Sequence, residues 1–351
     1  MKPEIPSICF ETTALCNLNC RYCYNHWKCE GQSVPDDGGY KQSSRTLKKI
    51  FKMADVKHIT FSGGEPMIAE RFSELVLMAR MKGAAVTVIS NGIHADFSAY
   101  KQLVDLGVSL FELPIHSSKL EIHDYLTQHE GSHQKSISTI RRLLKLNAEV
   151  VAVVVLTKAN CKDIDKTLHF IHSLGIQRVM INRVNIGGEV TLQFENLLMS
   201  REEMQRAFQM AATIAPELGM TITSNVCTPI CVLNPKDFRG IRFSSCSFDI
   251  SKRPVTLDYR GDVRFCNHSP IVIGNIFEND WAEISQSEKV QQWAKTVPSF
   301  CADCRAYDKC KAGCRAASEQ LGLSLEHPDP IMEQVELDWD LLKRLKSGLM
   351  C

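Results

Sequence analysis

The sequence predicts an α/β fold, a partial (β/α)6 barrel or an open sheet of the same connectivity, followed by a cysteine-rich domain. Three observations carry this expectation. Apolar runs of strand type alternate with amphipathic runs of helical period from residue 7 to residue 182. Glycine-rich and polar turns stand at the C-terminal ends of those runs, where α/β barrels keep their chemistry. Nine of the 15 cysteines follow residue 225, so the middle of the chain is nearly free of them.

The elements follow in order. Residues 7–14 form a short strand-like run that empties into a cysteine loop. His58-Ile59-Thr60-Phe61 leads into a glycine pair, and residues 84–90, 108–115, 149–156 and 178–182 are the next four strand candidates. Helical period marks residues 72–81, 137–146 and 164–174 between them. Strand, helix, strand in repetition means parallel strands joined by crossover helices. Beyond residue 225, Thr256-Leu257-Asp258 and Val263-Arg264-Phe265 flank Tyr259-Arg260-Gly261-Asp262, a β-hairpin that delivers Cys266. Residues 329–346 carry Met332, Val335, Leu337, Leu341, Leu342 and Leu345 on one apolar helical face, which predicts packing across the barrel. The expected division is 1–224 for the barrel, 225–328 for the cysteine-rich domain and 329–351 for the terminal helix.

Composition narrows the function classes. With 44% hydrophobic and 23% charged residues the chain is an ordinary soluble globular protein. A net charge of +1 gives no footing for nucleic acid or an anionic membrane surface. Apolar runs of membrane-spanning length are lacking, and Met1 to Pro6 has no signal-peptide character, so a cytoplasmic location is expected. In a reducing cytosol this many thiols are metal ligands more readily than disulfides.

Cys16, Cys20 and Cys23 form a C-x3-C-x2-C array. Thiolates are soft ligands, and three of them leave one position of a metal centre open, whereas a structural site takes four. A zinc knuckle or three unrelated buried thiols is the plainer alternative. The array resembles the signature of the radical S-adenosylmethionine (SAM) enzymes, in which three cysteines hold a [4Fe–4S] cluster whose fourth iron chelates SAM. Gly63-Gly64-Glu65-Pro66 matches that family's GGEP motif, which implies contact with the SAM amino group. Ser90-Asn91-Gly92 is similar to the family's polar turn near the SAM ribose and carboxylate. By the same resemblance Tyr22 sits where the backbone meets adenine, and Thr157 and Asn160 look like an adenine-side T-x-x-N. Arg183 closes the sixth strand, placed either to reach a carboxylate or to make a structural ion pair. One departure is Pro114-Ile115-His116, where the family often reads Ser-Leu-Asp. His116 there is either a structural histidine or a group facing substrate.

In the C-terminal region Cys246 is followed after fourteen residues by Gly261 and four residues later by Cys266. Then comes Cys301-x2-Cys304-x5-Cys310-x3-Cys314. This pattern resembles the SPASM domain, which holds two auxiliary [4Fe–4S] clusters; a zinc ribbon is the alternative. The resemblance implies that Cys246, Cys266 and Cys314 bind the first cluster with an upstream cysteine, Cys231 before Cys227. It implies that Cys301, Cys304 and Cys310 bind the second. The family's last cysteine follows an Asp-Pro pair, and here Asp329-Pro330-Ile331-Met332 puts Met332 in its place. A thioether is a poor iron ligand beside thiolate. An open iron, an Asp ligand or Cys351 then completes that cluster. Cys9, Cys29 and Cys161 carry no pattern.

The resemblance implies reductive cleavage of SAM to a 5′-deoxyadenosyl radical that abstracts hydrogen from substrate, with the auxiliary clusters suiting a net oxidation. The nearest familiar relatives are anaerobic sulfatase-maturating enzymes, peptide cyclases and spliceases. In the sulfatase maturases an Asp follows the cysteine matched by Cys266. Asn267 stands there instead and cannot take a proton at neutral pH, which disfavours formylglycine formation. His268 is a weak candidate for a replacement base. The expected substrate is a ribosomally made precursor peptide. The chain enters its first strand by residue 8, without room for an N-terminal winged-helix recognition domain, so a separate recognition protein is one expected partner. A flavodoxin- or ferredoxin-type reductant is another. A sugar, aminoglycoside or nucleoside is the alternative substrate, and a non-catalytic Fe–S electron carrier is the alternative of another class.

Overall fold

The computed structural model describes residues 2–28, 38–94 and 96–332. The expected terminal helix lies outside the described residues except for its first turn at 329–332, and Cys29 and Cys351 lie outside them as well.

Eleven strands form one sheet: β1 (Ile8–Glu11), β2 (His58–Ser62), β3 (Ala85–Ile89), β4 (Leu110–Pro114), β5 (Val150–Leu156), β6 (Arg178–Arg183), β7 (Thr221–Ser224), β8 (Ile241–Phe243), β9 (Val255–Asp258), β10 (Asp262–Arg264) and β11 (Val272–Asn275). Their spatial order is β8-β7-β6-β5-β4-β3-β2-β1-β9-β10-β11. Every neighbour from β8 to β9 is parallel, and only the β9–β10 and β10–β11 pairs are antiparallel. This is the expected partial barrel of six βα units, β1 to β6, with edges that the six strand candidates did not announce. Two short parallel strands, β7 and β8, lengthen one edge. They read Thr-Ile-Thr-Ser and Ile-Arg-Phe, too short and polar to stand out by apolar run.

Burial explains the legible strands. A parallel strand is covered on both faces and so reads as a near-continuous apolar run. Strand β5, Val-Val-Ala-Val-Val-Val-Leu, is the extreme case, with five of its seven residues buried. Crossover helices such as Phe72–Met81 and Ile164–Ser173 bury Leu75, Val76, Leu168 and Ile171 against the sheet. On neighbouring strands Phe10 and Phe61 pair directly and meet edge to face at 5.9 Å.

At the other edge β9 pairs with β1 over its whole length, Val255 opposite Ile8 and Asp258 opposite Glu11. The hairpin expected to deliver Cys266 therefore continues the barrel's own sheet. A buried ion pair spans this seam: the Arg264 guanidinium donates to the Glu11 carboxylate, and both side chains are nearly without exposure. Parallel strands bring all their C-terminal ends to one rim. The segments after Glu11, Ser62, Ile89, Pro114, Leu156 and Arg183, which hold the expected site residues, therefore share that rim.

Candidate functional site

The cysteine loop is fastened to the glycine turn by backbone. Gly64 N donates to Thr13 O at 2.7 Å and Glu65 N to Leu15 O at 2.8 Å, extending the β1–β2 ladder into the loop. A Cβ on Gly64 would lie 1.8 Å from Leu15 O, and Gly63 has φ +123° with its own Cβ position 2.3 Å from Thr13 O. Only glycine fits either place. Past the cysteines, Asn25 Nδ2 donates to Gly63 O at 3.1 Å and Trp27 Nε1 to Ala14 O at 3.2 Å, closing the loop back on its entry.

Within this frame Cys16, Cys20 and Cys23 come together, near enough for their charges to interact. Burial first, and mutual repulsion among the thiolates second, pushes the Cys20 thiol up to about 12. Burial also raises Cys16 and Cys23, against the pull of the Lys28 ammonium. Lys28 itself is tethered to Leu18 O at 2.7 Å. Three half-buried thiols that resist ionisation until a cation arrives are a donor set suited to iron. Leu18 N also donates to Cys16 Sγ at 3.4 Å, the kind of contact that tunes a cluster.

Around the rim the structure gives several expected residues a definite partner. The Glu65 carboxylate accepts from Met67 N at 3.0 Å and Asn91 N at 2.7 Å, and burial raises its pKa to about 7. Asn91 Nδ2 reaches Asn17 Oδ1 in the cysteine loop at 2.7 Å. Ser90 Oγ pairs with Tyr100 Oη at 2.9 Å and accepts from Gly92 N. Thr157 and Asn160 bond each other, and Asn160 Nδ2 donates to His116 O and Val155 O, both at 2.8 Å. These two side chains hold the β5 turn against the end of β4.

His116 is fixed in one neutral tautomer. Its Nδ1 accepts from Val155 N at 3.2 Å, so its Nε2–H donates to Tyr22 Oη at 2.7 Å. Burial keeps the imidazole well below its ordinary pKa. The Tyr22 hydroxyl in turn bonds the Cys20 sulfur. Sequence reading left His116 undecided; it positions Tyr22 beside a thiol ligand candidate.

Two expectations need correction. Arg183 has no donor left for a cofactor carboxylate. Its five N–H groups go to Thr228 Oγ1, Val184 O, Asn185 Oδ1, Cys227 O and the Asp329 carboxylate, and the Arg183–Asp329 pair is wholly buried. Its role is the structural ion pair. The second correction concerns the fourth thiol beside Cys246, Cys266 and Cys314. Cys227 occupies that position, hydrogen bonded to Cys246 and within charge range of Cys314 and Cys266. Cys231, the expected residue, faces Cys310, Cys304 and Cys301 instead. In the first group the proton stays on Cys227, and the Cys246 thiolate is favoured by that bond and by Arg253, whose Nη1 lies 3.5 Å from the sulfur. Asn185 Nδ2 donates to Cys314 Sγ at 3.3 Å.

Among the described residues no three His, Cys, Asp or Glu side chains close to the spacing of a single-ion site.

The two thiol regions meet at Tyr24. Asn267 Nδ2 donates to Tyr24 Oη at 2.7 Å, and the His268 ring stands edge-on to Tyr24 with centroids 4.0 Å apart. Gln320 Nε2 donates to both Tyr24 O and His268 O. Burial and the positive charges of Arg183, Arg253 and Arg264 push the His268 imidazole down to about 3. A ring that stays neutral at every ordinary pH is a poor general base. Among the described residues no helix is long and apolar enough to cross a membrane.

Comparison with known proteins accords with this geometry. The family model described as the radical SAM superfamily matches residues 10–171, and that of an iron-sulfur cluster-binding domain, SPASM, matches residues 246–311. The PqqA peptide cyclase of Granulibacter bethesdensis is 22% identical over 329 residues, covering 91% of this chain and 85% of the relative. The mycofactocin maturase MftC of Mycobacterium tuberculosis is 24% identical over 345 residues, covering 92% and 81%. Among solved structures, Streptococcus suis SuiB bound to S-adenosylmethionine superposes with a TM-score of 0.72 at 14% identity, over 93% of this chain and 77% of that one. The structure of anSMEcpe with bound AdoMet gives 0.72 at 16% identity, over 99% and 96%. The match over residues 10–171 marks a radical SAM domain, which implies a [4Fe–4S] cluster and SAM, and the match over residues 246–311 marks a SPASM domain, which implies auxiliary Fe–S clusters; the chain is an enzyme built on that pair of domains.

Proposed function

We propose that this enzyme oxidatively modifies a ribosomally made precursor peptide, by crosslinking, splicing or dehydrogenation. The observation that carries the reading is the run of peptide-acting relatives along nine-tenths of the chain, across both thiol regions. SuiB, which shares the fold, has been solved with its precursor peptide SuiA bound. The seam at Tyr24 supports net oxidation, because it sets the SPASM thiols against the cysteine loop where an electron leaving the substrate has a short path. Asn267 is spent on Tyr24 and His268 is held neutral, so neither supplies the base of a sulfatase maturase. The test is co-expression with short open reading frames from the neighbouring genes, followed by mass spectrometry. A loss of two hydrogens or a backbone excision in one peptide supports the reading. Turnover of a sugar, aminoglycoside or nucleoside with no peptide modified overturns it.

When bound, the cluster and SAM supply one-electron cleavage and hydrogen abstraction; the chain's residues hold and orient them. In this reading Cys16, Cys20 and Cys23 ligate the cluster, Gly63 and Gly64 let the backbone approach SAM, and Tyr22 offers backbone to adenine. The backbones of Ser90 and Asn91 border the ribose. Glu65 retains lone pairs beyond its two backbone bonds and receives the SAM ammonium. Losing such a charge-assisted bond costs about 1.5–3 kcal/mol. Glu65→Gln should therefore weaken SAM binding by roughly 10- to 100-fold in equilibrium dialysis. The pH dependence has a definite sign. With its carboxyl raised to about 7, Glu65 must shed a proton before it can receive an ammonium, so parental affinity should rise from pH 5 to 7. In Glu65→Gln that rise should vanish; a rise that persists removes Glu65 from the role.

A further inference from the structure

The eight cysteines described beyond residue 225 sort into two sets of four, and the sorting is done by two short turns. Cys227-Thr228-Pro229-Ile230-Cys231 and Cys310-Lys311-Ala312-Gly313-Cys314 share one spacing, C-x3-C, and lie against each other. Ile230 N donates to Cys310 Sγ at 3.3 Å. A Cβ on Gly313 would meet Pro229 Cγ at 2.6 Å, and Gly313 has φ +74°, so its backbone packs against the Pro229 ring at a place that favours glycine. Lys311 and Ala312 both have positive φ, 53° and 62°, and swing Cys310 and Cys314 apart. The first turn is pinned as firmly. Arg183 donates to Cys227 O at 3.0 Å, Arg201 to Cys231 O at 2.6 Å and Gln205 to Val232 O at 3.1 Å. Each turn thus sends one thiol to each side: Cys227 and Cys314 join Cys246 and Cys266, while Cys231 and Cys310 join Cys301 and Cys304.

From this geometry we infer that Cys231 is the fourth ligand of the second auxiliary cluster, beside Cys301, Cys304 and Cys310, and that Cys227 completes the first. The inference rests on the family's Fe–S cofactors and not on the peptide substrate. Two competing donors, Met332 and Asp329, are occupied. Met332 packs as an apolar side chain against the core and its backbone N bonds Asp329 O at 2.9 Å. The Asp329 carboxylate is buried and taken by Arg183, by Cys314 N at 2.8 Å and by Ile331 N at 3.1 Å. Four thiolates close the second cluster without an open iron, so that cluster carries electrons and leaves no iron site for substrate. Cys231 and Cys304 are the exposed members of the set. The second cluster consequently has an edge open to solvent.

The test is spectroscopic and independent of turnover. The full chain is reconstituted anaerobically as parent, Cys231→Ser, Cys227→Ser and Cys351→Ser, and each is assayed for iron and sulfide and examined by Mössbauer and EPR spectroscopy. Cys231→Ser should lose up to about four irons or shift one reduced-cluster EPR signal. Cys227→Ser should disturb a different signal, and Cys351→Ser none. Alkylation of the parent guards against a variant that fails to fold: Cys231, although exposed, should resist iodoacetamide when the clusters are loaded and react when they are stripped. Parental iron and spectra in Cys231→Ser, free alkylation of Cys231 in the loaded parent, or loss of the same signal in Cys351→Ser would each overturn the assignment.

Discussion

Cys16, Cys20 and Cys23 replaced together by alanine should abolish 5′-deoxyadenosine formation, a loss of at least about 1,000-fold, while roughly eight of about twelve irons remain bound. The size of the effect follows from the donor set: Tyr22, Lys28, Asn91 and the Glu65 and Glu189 carboxylates lie around the three thiols, and none of them is a soft thiolate. The loop should survive the substitution, because backbone bonds from Gly64 and Glu65 and side-chain bonds from Asn25 and Trp27 hold it without the sulfurs. Retained iron is thus the control for folding, and retained SAM cleavage is the result that removes these cysteines from the active centre.

The second large effect is expected at the seam between β1 and the SPASM hairpin. Burial pushes the Glu11 carboxyl up and the Arg264 guanidinium pulls it back down, while Glu11 in turn helps keep Arg264 charged. Ionised pairing is the state that satisfies both groups. Arg264 also donates to Ser269 O at 2.9 Å and contacts His26 Nδ1 at 3.2 Å. Removing one partner of a buried pair strands the other, at a cost of about 3–5 kcal/mol. Arg264→Leu should lower stability by that amount in urea unfolding of the cluster-free chain. Glu11→Leu combined with Arg264→Met should recover most of it, since an apolar pair of similar volume is often neutral. A single variant within about 1 kcal/mol of the parent would mean that the seam is held by strand pairing alone.

The sequence made the barrel legible where physics repeats: both-faced burial writes β5 as an unbroken apolar run, and one thiolate per iron writes the cysteine spacings. Where the outcome turned on which of two similar residues wins, the sequence was silent. Cys227 and Cys231 stand four positions apart on one turn, and nothing local says which faces Cys246. The contact of Pro229 with Gly313, from two distant segments, decides it. Arg183 is the same case at longer range. A guanidinium at a strand's C-terminal end suits a ligand carboxylate until Asp329, 146 residues on, takes it. His116 could be read neither as structural nor as functional until Val155 and Tyr22 fixed its tautomer.

The pairing of β9 with β1 has a consequence for how the protein is made. The strand that leads into the cluster loop leaves the ribosome long before the hairpin, and its outer edge stays unpaired until the hairpin is synthesised; Glu11 and Arg264 are 253 residues apart. Contacts of such separation form late and slowly, and an open edge invites pairing with another chain. A nascent chain that has not reached the hairpin holds its three loop cysteines on a barrel still open along that side. Delivery of iron and sulfide to the loop and closure of the sheet are thereby put in competition, and scarcity of either should show first as aggregation during synthesis rather than as an inactive soluble enzyme.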